Sequence, residues 1–512
     1  MSMKLRAGIP LAVLALIWMM PVPDGLTVHG MRFFGIFVAV ILALILEPLP
    51  NSAVGLIGIT SAGVLQLVPL AERTNAAIAA AAKAGTAVVL PSYGSAHIGP
   101  SLAWSLSGFV DAVVWLIFVA FMFALGFQKT GLGRRIALTL MQKLGAKPLG
   151  LGYAAACSDL VIAPFTPSNT ARSCGVVYPV VSSIPPMYGS LPDNEPRKIG
   201  AYLMWVCFAT TCVTSSWFLT GVAPSLLALS LMRDGMAAAG LVAGTTPPTD
   251  LISWAQWLWC LMPIGLILFI FVPWFTFKIY PPTMKESPET PAWAKEELHK
   301  LGPISPKEIA MLVLMLLALT LWIGGTKYVN ATQTALIVLC LMLILNVVSW
   351  DDILSNKPAW NVLVWFATLV AMASGLARVG FLRWLGDFFQ TYLAGSSEAV
   401  ILFALMFLFY LLHYFFASLT AHTTALFPLF MTIGIAAGVD PRLLGMMMAG
   451  SLGIMGILTP YGTGPAPLYY NTGYIDRKTF WAFGSLFGWI FFLVYAIFAI
   501  TWFPRILGPW GA

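Results

Sequence analysis

The chain alternates long apolar runs with short polar turns along nearly its whole length. Residues 31–49, 253–276, 307–324, 332–349 and 480–503 each suit a bilayer crossing, which takes about 20 predominantly apolar residues per helix. Shorter runs predict further spans at 8–20, 51–68, 109–128 and 359–378, and two longer stretches, 199–232 and 441–473, read as spans broken in the middle. Segments 149–183 and 398–433 are apolar at both ends and polar between. If each is a hairpin that enters and leaves on one side, eleven spans remain and the termini lie on opposite faces.

Composition agrees with lipid as the solvent. The 512 residues are 59% hydrophobic and 9% charged, whereas a soluble domain carries roughly a quarter charged residues. The net charge of +7 comes with no basic block and no aromatic-basic interleaving, so no nucleic-acid partner is implied. With the N-terminus inside, most of the 27 Lys and Arg fall on the inner side, among them Lys4, Arg6, Arg134, Arg135, Arg197 and Lys198. That bias predicts a cytoplasmic N-terminus and an outer C-terminus. Met1–Pro21 has a basic start and an apolar run but no clear small-residue cleavage site, and reads as a retained first helix.

The six cysteines are irregularly spaced without a CxxC, and the five histidines are scattered, so neither a metal site, a disulfide framework nor a cofactor is expected. No nucleophile–base pair shares one depth, which removes the membrane-enzyme reading. Segment 277–306 is the long charged linker and separates halves 1–276 and 307–512; segment 69–107, rich in small residues, reads as an outer loop. Two amphipathic stretches read as horizontal arms. One is Lys129–Lys147, with Ile136, Leu140 and Leu144 on a face; the other is Phe381–Leu393, with Phe381, Leu385, Phe388, Phe389 and Tyr392.

The halves resemble each other at three places in the same order. Gly126-Phe127-Gln128-Lys129-Thr130-Gly131-Leu132 matches Gly375-Leu376-Ala377-Arg378-Val379-Gly380-Phe381 at an offset of 249. Ser168-Asn169-Thr170-Ala171-Arg172 matches Ser418-Leu419-Thr420-Ala421-His422 at 250, and Thr220-Gly221-Val222-Ala223-Pro224 matches Thr463-Gly464-Pro465-Ala466-Pro467 at 243. The span count puts the first hairpin on the inner side and the second on the outer side. Two inverted repeats with interrupted helices are the pattern of secondary transporters, whose substrates sit between the repeats.

The interruptions point to anions. Pro164, Pro167, Ser168 and Asn169 stop a helix, and Ser or Asn caps the next one. New half-helices near Thr170 and Thr420 would aim free N–H groups and the positive end of the helix dipole into the protein. The breaks at Thr220-Gly221 and Thr463-Gly464 free further groups. Non-helical backbone at that depth lasts only where it lines a polar cavity. The candidate substrate-binding residues are therefore Ser168, Asn169, Thr170, Thr220, Gly221, Ser418, Thr420, Thr463 and Gly464. Arg172 is an intramembrane cation, expected either as fixed positive charge or in an internal pair with Asp159; His422 holds its repeat position, and His413 reads as structural.

Segments 163–172, 416–423 and 458–465, together with Leu46-Glu47-Pro48 and Thr130-Gly131-Leu132-Gly133-Arg134-Arg135, resemble the divalent anion:sodium symporter family over essentially the whole chain. The nearest branch is that of bacterial exchangers of succinate, malate, tartrate, citrate and 2-oxoglutarate. The resemblance implies an inner-membrane homodimer in which a transport domain slides like an elevator against a scaffold, with Ser168, Asn169, Thr170, Ser418 and Thr420 on the carboxylates. The scaffold is expected at 31–128 and 307–378 and the transport domain at 149–276 and 398–503. Leu419 stands where sodium-coupled members carry Asn, which predicts exchange without sodium, with Arg172 and His422 supplying fixed positive charge in place of cations. A sodium-coupled symporter and an anion channel of the same fold are the alternatives.

Overall fold

The computed structural model describes residues 2–86, 88, 90–393 and 395–510, and every named element among them is a helix. Nine of these helices are long and apolar enough to cross a membrane, ten if Asn51–Val64 and Leu67–Ala84, bent by 46°, form one span. Other predicted crossings are shorter. The first helix is Met3–Met19 and the run at 332–349 is Ala331–Ile344, after which Asn346 turns at positive φ and Ser349 caps a new turn.

Segment 69–107 is not a loop. Leu67–Ala84 buries Leu67, Leu70, Ala71 and Thr74 at helical spacing, and Ile98–Leu106 runs almost continuously into the span Ala112–Thr130. Its low hydrophobicity concealed this: the first turns of Leu67–Ala84 are buried, while its alanine-rich end is largely exposed and helical by alanine's own high propensity. Gly108 lies against the Ala367 carbonyl, where any Cβ would collide. The charged linker is also partly helical. Glu289–Leu301 packs on the arm helix Leu132–Leu144 through Arg134 and Glu297 (2.6 Å), and Ser287 donates to the Gly145 carbonyl (2.6 Å). The ammonium of Lys300, then Arg134, holds the Glu297 carboxyl below its ordinary range.

The arm begins at Gly131, whose φ of +77° makes the corner after Thr130. Arg135 ties it to Glu308 at 2.5 Å. The second arm, Phe381–Leu393, stacks Phe381 on Phe34, and Tyr392 lies outside the described side chains.

Segments 149–183 and 398–433 are each a helix, a short turn and a second helix. Pro148–Ile162 ends in a short turn, and Thr170–Val177 restarts with π-type bonding and continues as Tyr178–Val181. Glu398–Leu412 and Leu419–Ala436 form the second. The first broken span is Gly200–Trp217 followed by Ala223–Ala238; the second is Pro441–Met455 followed by Pro465–Asn471. The two cross at Gly453, where a Cβ would strike Ser215 and Ser216, and the Ser216 hydroxyl accepts the Ile454 N–H at 3.0 Å. A large apolar core joins the hairpins and broken spans to 113–127 and 311–342, while 33–71 and Trp104 pack with 369–382 in a smaller one.

Gly108→Ala is expected to cost about 1–3 kcal/mol through forced backbone separation. Thermal unfolding of the purified protein in detergent checks this; an unchanged midpoint contradicts the close approach.

Candidate functional site

The two hairpin tips are built alike. Ser168 Oγ accepts the Ala171 N–H (3.1 Å) and Ser418 Oγ the Ala421 N–H (3.4 Å), so each serine caps the half-helix that follows. The Ser168 and Ser418 carbonyls accept the N–H groups of Arg172 and His422, both at 3.0 Å.

The second break, 459–464, lies between the tips and touches both. Asn169 donates from Nδ2 to Thr463 Oγ1 at 2.8 Å. Thr170, exposed, sits so close to Gly464 that a Cβ there would collide with its hydroxyl. From the other side, His413 Nε2 pairs with the Gly462 carbonyl at 2.8 Å, and the Tyr461 hydroxyl donates to the Tyr414 carbonyl at 3.1 Å. Of the two tips, the first break is hydrogen-bonded only to the first among the described residues. Thr220 donates to the Pro164 carbonyl and accepts from the Trp254 indole (3.1 Å), and the Ala223 N–H donates to the Pro167 carbonyl at 2.7 Å.

Arg172 is the most heavily bonded side chain here and is fully buried. Nε donates to Asp159 Oδ1 at 3.1 Å. Nη1 donates to the carbonyls of Thr166 (3.0 Å) and Gly221 (2.9 Å), one at each break. Nη2 faces Thr211, Thr214 and Ser215 at 3.2–3.4 Å, and Thr211 and Thr214 also donate to Asp159. The charge of Arg172 is thus held in a pair with Asp159 in this conformation. Asp159 was the one acid weighed for it in the sequence; the threonines and Ser215 one helix away were not, and the polar run Thr210-Thr211…Thr214-Ser215-Ser216 inside a span was their signal.

His422, at the corresponding place in the second tip, differs from Arg172. Its ring is buried among Phe409, His413 and Phe416, and neither nitrogen has a hydrogen-bond partner among the described residues. Its surroundings therefore supply no anion. Thr420 is buried, with its carbonyl accepting the Thr424 hydroxyl at 2.8 Å, and among the described residues no hydrogen bond joins Ser418 or Thr420 to the first hairpin. The structure thus brings Asn169, Thr170, Thr463 and Gly464 together directly, joins Thr220 and Gly221 to the first tip, and links the second tip through 461–462. No group of three or more His, Cys, Asp or Glu suited to a metal occurs among the described residues.

Two helix–turn–helix units meeting interrupted helices, with nine or ten helices long and apolar enough to cross a membrane among the described residues, fit the class of multi-pass membrane transporters. Residues 2–510 match the family described as the sodium:sulfate symporter transmembrane region. L-tartrate/succinate antiporters of Escherichia coli strains 536 and K12 and of Shigella sonnei are 42% identical over 500 residues, covering 97% of this chain and of each relative. The YdaH transporter of Alcanivorax borkumensis has a similar fold, with a TM-score of 0.56 at 14% identity, covering 81% of this chain and 91% of that one. The chain belongs to the divalent anion:sodium symporter family.

Removing either member of a buried pair leaves an unpaired charge, at about 3–5 kcal/mol. Asp159→Ala and Arg172→Ala are each expected to destabilise by that amount, and the double variant by clearly less than their sum. Thermal melts of the four proteins test this; strict additivity would mean the pair is not coupled.

Proposed function

We propose that this protein exchanges one small dicarboxylate for another across the bacterial inner membrane, without sodium, with tartrate and succinate as the leading substrates. The observation that carries the reading is the meeting of Asn169 with Thr463 where a capped half-helix abuts the second break. An amide and a hydroxyl bonded to each other, beside the exposed Thr170 and Gly464, are groups that a carboxylate can recruit. The whole-length likeness to proteins named L-tartrate/succinate antiporters supports the substrate class.

A dianion at that depth needs compensation, because an unpaired buried charge is very costly. Each half-helix N-terminus offers about half a positive charge and free N–H groups, at Thr170 and at Leu419. Ser168, Asn169 and Thr170 take one carboxylate and Ser418 and Thr420 the other, with Thr220-Gly221 and Thr463-Gly464 closing the site. Arg172 anchors the first tip with its charge paired to Asp159, and the positive ends of the two half-helices stand in for the cations that a symporter would bind. Leu419 offers no oxygen ligand, and hard cations require oxygen donors. An empty site that holds positive potential crosses the membrane reluctantly, while a loaded one is nearer neutrality; this favours obligatory exchange.

Segments 149–276 and 398–503 form the moving body in this reading, and 31–128 and 307–378 the scaffold of a homodimer, with the N-terminus cytoplasmic. The two arm helices flank the moving elements and transmit the elevator displacement.

In proteoliposomes, radiolabelled succinate uptake is expected to require internal dicarboxylate and to be equal in sodium and choline buffers. Uptake that follows a sodium gradient and ignores internal substrate would restore the symporter alternative, and current without counter-substrate would indicate a channel. Asn169→Ala is expected to abolish exchange, by 100-fold or more on the order of a lost buried polar contact set, with an unchanged elution profile. Near-normal exchange in that variant removes the proposed site.

A further inference from the structure

The exchanger reading requires one body to move against another, and an ion pair spans the boundary between them. Asp111 opens the span Ala112–Thr130, where its Oδ1 caps the Val113 N–H at 2.9 Å. Arg233 lies near the end of Ala223–Ala238 in the first broken span. Its Nη1 donates to Asp111 Oδ2 at 2.8 Å, and Ser230, one turn earlier, donates to Asp111 Oδ1 at 3.2 Å. The two charged side chains are only 11% and 3% exposed.

We propose that Arg233 and Asp111 form a releasable latch, positioning residues that set the face toward which the substrate site rests open. The proposal rests on the two-body exchanger reading. Three observations separate this contact from a static structural pair.

The first is a travelling counterion. Asp234, adjacent on the same helix, accepts from Arg233 Nε at 2.9 Å and from Nη2 at 2.8 Å through Oδ1. Its Oδ2 is buried without a partner among the described residues, so it has an acceptor in reserve for the guanidinium. When the bodies separate, Arg233 keeps a carboxylate and no buried cation is stranded. The contrast is Arg172, whose anionic partner lies within one body and would move with it.

The second is room for water. A cavity of about 750 Å³ opens beside the pair between the two bodies, lined by Asp111, Arg233 and Asp234 together with Thr246, Ser374 and Arg378. Asp111 can be hydrated there once its partner leaves, which lowers the cost of release.

The third is asymmetry. Inverted repeats alone would make the two facing states equivalent. At the offsets relating the halves, 249 and 243, Asp111 falls on Trp360 and Arg233 on Asp476. The Trp360 indole donates to the Ile353 carbonyl, and Asp476 caps its own helix through Thr479; no ion pair joins those positions among the described residues. The latch therefore weights one state over the other.

Asp111→Asn isolates the charge. Asn retains a side-chain oxygen for the helix cap, and Asp234 still pairs with Arg233, so the fold loses little. Succinate exchange is measured from both sides in oriented proteoliposomes. In parallel, labelling of Ser374→Cys is followed in a background lacking the native cysteines. A latch that weights one state raises the apparent KM on the other side, because apparent affinity scales with the population of the competent state. Asp111→Asn is expected to shift the two sided KM values in opposite directions by roughly threefold or more and to change the Ser374→Cys labelling rate. Arg233→Lys, which keeps the charge, is expected to stay close to wild type on both readouts. Sided KM values and labelling that match wild type in Asp111→Asn overturn the latch, as does a lower maximal rate with no KM split, which marks a merely structural pair. If instead the parent Ser374→Cys protein labels identically with and without saturating succinate, the two-body reading itself fails, and the latch fails with it.

Discussion

A helix interrupted inside a bilayer strands carbonyl and N–H groups that lipid cannot satisfy, and each must find a partner in the protein. In this chain a single guanidinium meets that demand at two breaks. Arg172 reaches the carbonyl of Thr166 in the first tip and that of Gly221 in the first broken span, while Asp159 neutralises it. The rest of the first tip is organised around this connection. Thr220 and the Ala223 N–H take up the carbonyls of Pro164 and Pro167, so one irregular segment completes the hydrogen bonding of the other. What remains free at the tip is the capped end with Asn169 and Thr170.

The second tip meets the same demand by different chemistry. It has no ion pair among the described residues; instead an imidazole, His413, takes the Gly462 carbonyl, and His422 packs edge-on against aromatic rings. The two halves thus share backbone geometry at the caps while differing in the forces behind them. One tip is braced by six polar partners of a guanidinium and the other is packed chiefly on rings, so the two tips are alike at their caps and unlike in their bracing.

The hairpins were legible in the sequence because their signals are local: Pro164, Pro167 and Ser168 stop and restart a helix, and the same offset returns Ser418 and Thr420. The contact of Arg172 with Asp159 was within reach for the same reason, at 13 residues' separation. The helices of 69–107 and the linker helix Glu289–Leu301 were not, because their order comes from surfaces elsewhere in the chain. Thr463 carried its repeat signature, but its partnership with Asn169, 294 residues away, depends on how the two broken spans cross at Gly453 and Ser216. Periodicity reports which face is apolar; it does not report which distant polar group lies opposite.

The bonding of Arg172 also bears on how such a chain is made. Every group that the structure places on its guanidinium, from Asp159 and Thr166 through Thr211, Thr214 and Ser215 to Gly221, lies in one contiguous stretch of the first half. During synthesis the most expensive charge to leave in lipid can therefore be compensated as soon as residue 221 has entered the membrane. The ribosome need not have reached the second half for this cation to find its partners, whereas Arg135, at the start of the arm, must wait for Glu308.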